Sequence, residues 1–120
     1  MNTRFESDWT AGAEAILFER CGGCGHVAYF ARGFCPACGS SKVHRETASG
    51  EGTVYAITEV ARAPTQELRA HAPYALLLVD MAEGFRMMAH GRPGLRIGEP
   101  VRVRFVRVAG RLVPCFQPRR

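Results

Sequence analysis

The sequence has no apolar run near the roughly 20 residues that a membrane-spanning helix needs. Its strongest run, Ala75 to Val79 within PYALLLVDM, is far shorter. A glycine-rich phosphate loop is also missing, because GRPGLRIG reads as a turn and the start of a strand. The opening stretch, MNTRFESDWTAGAEAILFER, is broken by Arg4, Glu6, Asp8, Glu14, Glu19 and Arg20, so it holds no apolar segment of signal-peptide length. A cytoplasmic protein is expected, with its thiols kept reduced, which argues against disulfides. Acid is scarce late in the chain: from Arg96 onward there are seven arginines and one carboxylate, Glu99. The 120 residues, 47% of them hydrophobic, are one domain's worth, or a small module attached to a modest one.

Against these absences, cysteine is concentrated. Four of the five cysteines fall in CGGCGHVAYFARGFCPACGS as Cys21-x2-Cys24-x10-Cys35-x2-Cys38. Two thiolates two residues apart reach one ion from a single tight knuckle. Gly25 and Gly39, one after each pair, let the backbone turn back. Two knuckles supply the closed four-sulfur set of structural zinc, with iron as the chemical alternative. All four positions are then filled, so the metal activates no water. His26 is a weaker competing ligand. A ribbon this small buries too little to fold alone, so the metal supplies folding energy.

Residues 6–20 carry Trp9, Ala13, Ile16 and Leu17 at roughly helical spacing, with Ser7 or Asp8 as a cap, which predicts a helix. Beyond Ser40 the pattern changes to strands. Gly52 to Ala61 alternates, and Pro73 to Met81 reads as a strand buried on both faces. Gly84 to Gly91 follows, and Ile97 to Pro118 gives two strands joined at Ala109–Gly110, with a bulge expected near Val106. The expected fold is mainly β: an N-terminal helix (1–20), a rubredoxin-like zinc ribbon (21–46) and a five-stranded OB-fold barrel (47–120). Thr47 to Gly52 reads as the hinge, and Ala61 to Pro73 as a long projecting loop, where binding tends to live.

Catalytic signals are weak. Cys115, the one thiol outside the cluster, lies in a strand pattern, and His44, His71 and His90 are scattered. The basic end of the chain suits an anionic partner such as nucleic acid, a nucleotide or the phosphates of coenzyme A. A single-stranded nucleic-acid binder is the alternative reading, although no platform of aromatics between basic residues is evident.

Together FERCGGCG, FCPACGS, SGEGTVYAITEV, APYALLLVDM and LRIGEPVRVRF ending in LVPCFQP, in that order, resemble the zinc-ribbon/OB-fold proteins associated with acyl-CoA enzymes. The resemblance covers nearly the whole chain. It implies a small non-catalytic subunit docked on a thiolase-like, aldolase-like or hydratase-type partner, with Cys21, Cys24, Cys35 and Cys38 as zinc ligands and coenzyme A contacted in the complex. Many members carry a longer acidic loop where this chain has only Arg92, Pro93 and Gly94. Arg62 and Arg92 are the candidate ligand-binding residues, because a guanidinium fork suits phosphate oxygens.

Overall fold

A computed structural model describes residues 8–60 and 74–119. A three-stranded antiparallel sheet comes first, from β1 (Leu17–Cys21), β2 (Val27–Ala28) and β3 (Val43–Thr47), in the order β2-β1-β3. Five further strands close a barrel: β4 (Glu51–Val60), β5 (Tyr74–Met81), β6 (Arg86–Gly91), β7 (Pro100–Val108) and β8 (Arg111–Pro118), in the order β4-β5-β6-β8-β7. Closure comes from β7 pairing back onto β4, with Gly52 opposite Val101. The β6–β8 contact is parallel, with His90 opposite Cys115. This is the five-stranded Greek-key closure of an OB-fold, as the strand pattern predicts.

The helix expected over residues 6–20 is not there. Residues 6 and 7 lie outside the described residues. Asp8 caps a three-residue 3-10 turn, Trp9–Ala11, by accepting from the Thr10 N–H at 3.1 Å, and Gly12 at φ 93° ends it. The chain then enters β1, the central strand of the ribbon, whose Leu17 lies opposite Thr47 and whose Arg20 lies opposite Val27. Pairing with β3 and the contacts around it bury Ile16, Leu17 and Phe18 in succession, and that tertiary gain overrides a helical spacing worth little by itself.

Two strand expectations are also corrected. Strand β5 alternates rather than burying both faces: Ala75, Leu77 and Val79 point into the barrel, while Leu76 and Leu78 are only half-buried. The β7–β8 ladder runs unbroken from Val101 opposite Pro118 to Val108 opposite Arg111, so Val106 makes no bulge. Among the described residues no other strand pairs with the outer half of that hairpin, and a two-stranded ribbon twists strongly enough to take up the change in burial parity. The bulge lies in β4, where Tyr55 is the extra residue between Val54 and Ala56.

One apolar core runs through both parts. Phe116, Leu77, Val79, Val54 and Val101 fill the barrel, and Ile16 and Phe18 of the ribbon belong to the same cluster. Phe85, from the β5–β6 turn, stacks on Phe18 at 5.1 Å and on Tyr29 at 5.6 Å between ring centroids. Trp9 donates its indole N–H to the Tyr29 hydroxyl at 3.0 Å, the packing role its sequence context suggests. The segment expected as a hinge is tied down: the Ala48 N–H donates to Ile16 O at 2.8 Å, and the Ser49 N–H to Glu83 Oε2 at 2.7 Å.

Candidate functional site

The ribbon brings all four clustered cysteines together. Strand β1 delivers Cys21, and its carbonyl accepts from the Gly25 N–H at 3.0 Å; the second knuckle repeats the bond from Gly39 N–H to Cys35 O at 2.8 Å. Gly25 and Gly39 sit at φ 81° and 80°, the left-handed turn that their place in the motif predicts. The four sulfurs all lie within 4.8 Å of one another, with Cys21 to Cys38 at 3.7 Å and Cys24 to Cys35 at 3.6 Å. A tetrahedron of thiolates around zinc, at the usual bond length, has edges of about 3.8 Å, whereas a disulfide needs sulfurs about 2.05 Å apart. The donor set therefore fits a tetrahedral ion and holds no disulfide. His26 is exposed and outside the group.

The sulfurs are not equivalent. Cys21 and Cys35 are buried; Cys24 and Cys38 are exposed. Backbone N–H groups point at the buried pair, from Cys24 and Gly23 to Cys21 Sγ and from Ala37 to Cys35 Sγ. The Cys24 N–H, followed by that of Gly23, lowers the Cys21 thiol to about 6 against the opposing effect of desolvation. At Cys38 the Ser40 N–H pulls the same way, but the sulfurs of Cys24, Cys21 and Cys35 push the thiol up to about 12. One thiolate forms readily and the last is strongly opposed, so a cation is what lets four thiolates share this volume.

Glu19 is a contributor that no sequence motif singles out. It lies two residues before Cys21 and is buried, at 6% exposure. Its carboxylate accepts from the backbone N–H groups of Arg32 and Gly33 at 3.1 and 3.3 Å, which pins the loop between the two knuckles. Those partners are thirteen and fourteen residues away, so no local pattern announces the role.

The arginine candidates are less united. Arg62 and the loop Ala61 to Pro73, with His71, lie outside the described residues. Arg92 lines an open cleft of about 410 Å³ with Gly94, Glu99 and Gln117. Several other arginines are paired: Arg20 with Glu46, Arg86 with Asp80, and both Arg102 and Arg119 with Glu51. Cys115 lies half-buried between His90 and Arg104 in the sheet, and burial pushes its thiol up, which suits packing better than attack. His44 is held by Glu46 at 2.6 Å.

A thiolate knuckle pair on a small sheet, joined to a closed five-stranded barrel, defines a zinc-ribbon/OB-fold protein. Two family models agree: the rubredoxin-like zinc ribbon domain of ChsH2 matches residues 9–44, and the C-terminal OB-fold domain of ChsH2 matches residues 45–106. The chain belongs to this ChsH2-type family, also called DUF35. A DUF35 domain-containing scaffold protein from Methanothermobacter thermautotrophicus is 30% identical over 95 residues, 75% of this chain and 71% of that protein. One from Pyrococcus furiosus is 37% identical over 60 residues, 50% of this chain and 43% of that protein. Among solved structures, the Ltp2-ChsH2(DUF35) aldolase superposes with a TM-score of 0.76 at 26% identity, covering 98% of this chain and 96% of that one. A DUF35 protein from Sulfolobus solfataricus shares the fold, with a TM-score of 0.58 at 15% identity over 86% of this chain and 76% of that one.

Proposed function

We propose that this chain is a non-catalytic subunit that docks on a thiolase-like or aldolase-like enzyme acting on acyl-CoA. In this reading Cys21, Cys24, Cys35 and Cys38 hold one structural zinc ion, which supplies folding energy and no reactive water. The relatives named as scaffold proteins, and the likeness to a protein solved as part of an aldolase, support the enzyme partner.

The observation that carries the reading is the apolar outer face of β4, β5 and β6. Leu78 lies opposite both Ala56 and Met88, and Leu76 is the next outward residue along β5. Met88 is 65% exposed, and these side chains line a shallow groove of about 270 Å³. An apolar sheet face of this kind on a small protein marks a surface that another protein covers. In this reading Arg92, which lines its cleft at the opposite end of β6 from Arg86, meets a coenzyme A phosphate.

Purified alone, the protein should show neither thiolysis nor aldol cleavage, and appreciable turnover would reject the non-catalytic role. Met88→Asp places a charge in the centre of the face without touching the barrel interior. It should weaken association with the enzyme partner at least tenfold while zinc content and thermal midpoint stay as in the wild type. Unchanged association would remove this face from the interface.

A further inference from the structure

The 3-10 turn and the projecting tip of the β7–β8 hairpin enclose a second cleft, of about 390 Å³, that the docking reading does not use. Its lining is mixed: Trp9, Leu112 and Val113 are apolar, and Arg107 and Arg111 flank the hairpin turn at Gly110, Arg107 opposite Leu112 and Arg111 opposite Val108 in the ladder. Among the described residues no carboxylate lines this cleft, and neither arginine side chain has an ion-pair or hydrogen-bond partner. That sets the pair apart from Arg20, Arg86, Arg102 and Arg119, which glutamate or aspartate already engages. It also distinguishes the cleft from the one at Arg92, where Glu99 shares the lining.

This mixed lining calls for one kind of ligand. Unpaired guanidinium groups favour phosphate oxygens, which accept two parallel N–H bonds from each fork. An indole beside aliphatic side chains favours a flat ring that gains from stacking and desolvation. The Trp9 ring is already fixed, because its N–H is spent on Tyr29 and its body packs against the core, so binding does not have to order it. The volume lies within the roughly 300–1,000 Å³ of small-molecule sites. We propose that this cleft binds a nucleoside phosphate, with the base against Trp9 and the phosphates on Arg107 and Arg111. The ligand is a free nucleotide or a nucleotide unit of a single strand. The site shares no residue with the Leu76–Met88 face, and Arg111 lies at the opposite end of β8 from the Gln117 cleft wall, so this inference stands or falls apart from the docking reading.

Trp9 is the only tryptophan in the chain and lines this cleft, so its emission carries the binding signal. The zinc-loaded full chain is titrated with adenosine 5′-diphosphate, with a mixed-sequence deoxyoligonucleotide and with inorganic phosphate. A saturable change in Trp9 emission is expected with one of the first two, and phosphate should compete with it. Arg107→Gln and Arg111→Gln should each weaken binding about tenfold, and Arg96→Gln should leave it unchanged. Saturation by the diphosphate identifies a free nucleotide as sufficient; saturation by the oligonucleotide alone identifies a polymer. No saturable change with either probe, or a change that survives the Arg107→Gln/Arg111→Gln double substitution, overturns the proposal. Zinc content measured on each variant separates lost binding from lost fold.

Discussion

The ribbon and the barrel are held together by different forces. In the three ribbon strands, β2 and β3 have no buried residue, and the sulfurs of Cys21 and Cys35 lie where a hydrophobic core would otherwise be. The barrel closes on itself and excludes water from Phe116, Val79, Val101 and Leu77. A sheet of three short strands cannot repay its chain entropy by burial, so it depends on the ion; five strands closed into a barrel can. The two meet at Phe85, which belongs to the barrel in sequence and packs under the ribbon rings in space.

The largest effect expected from this contrast is loss of the metal. Cys35→Ser, or a strong chelator, should abolish hydrogen-exchange protection across β1 and β3 while amides of β5 and β8 stay protected. Structural zinc in small ribbons contributes on the order of 10 kcal/mol, so the ribbon has nothing comparable to fall back on. Simultaneous loss of protection in β5 would show that the two regions unfold as one unit and would break the comparison.

Next in size is Phe85→Ala. It removes a ring that is 5% exposed and stacked on two others, and a cavity of that kind costs roughly 3–5 kcal/mol. Urea unfolding followed by barrel and ribbon probes should show both midpoints falling, because both regions lose the same contact. A fall confined to the barrel would mean that the ribbon owes nothing to the stack.

The smallest effect is electrostatic. Arg102 first, then Arg119, holds the Glu51 carboxyl below its ordinary value of 4.5. A depressed carboxylate stabilises the fold fully above the unfolded value, and that contribution is lost as pH falls through the folded one. Glu51→Gln should therefore lower the thermal midpoint slightly at neutral pH, and the gap should close as pH drops well below 4.5. A gap that persists at low pH would place the role of Glu51 in its neutral hydrogen bonds.

The parts that were legible in the sequence are those whose cause is local. Knuckle spacing fixes the sulfur cluster within eighteen residues, and period-two alternation marks the barrel strands. The turn at Ala109–Gly110 appears where expected, with φ 52° and 78°. What the sequence hid is set by distant partners. The stretch leading into β1 reads as helical because Trp9, Ala13, Ile16 and Leu17 share a helical spacing, and the pairing of Leu17 with Thr47 decides otherwise. The run in β5 suggested burial on both sides, but the barrel has one inside, which leaves Leu76 and Leu78 facing outward. Arg107 and Arg111 read as members of a generally basic strand until the fold spends Arg102 and Arg119 on Glu51 and brings Trp9 to the hairpin tip.

The central claim is that the chain works as a zinc-held docking subunit of an acyl-CoA enzyme. It is tested most directly by the native mass of the assembly recovered with the tagged protein from its own cells in zinc-containing buffer. The account predicts one thiolase-like or aldolase-like enzyme in fixed stoichiometry, with one zinc ion per copy of this chain. Recovery of nucleic acid with its processing proteins, and of no such enzyme, would contradict it.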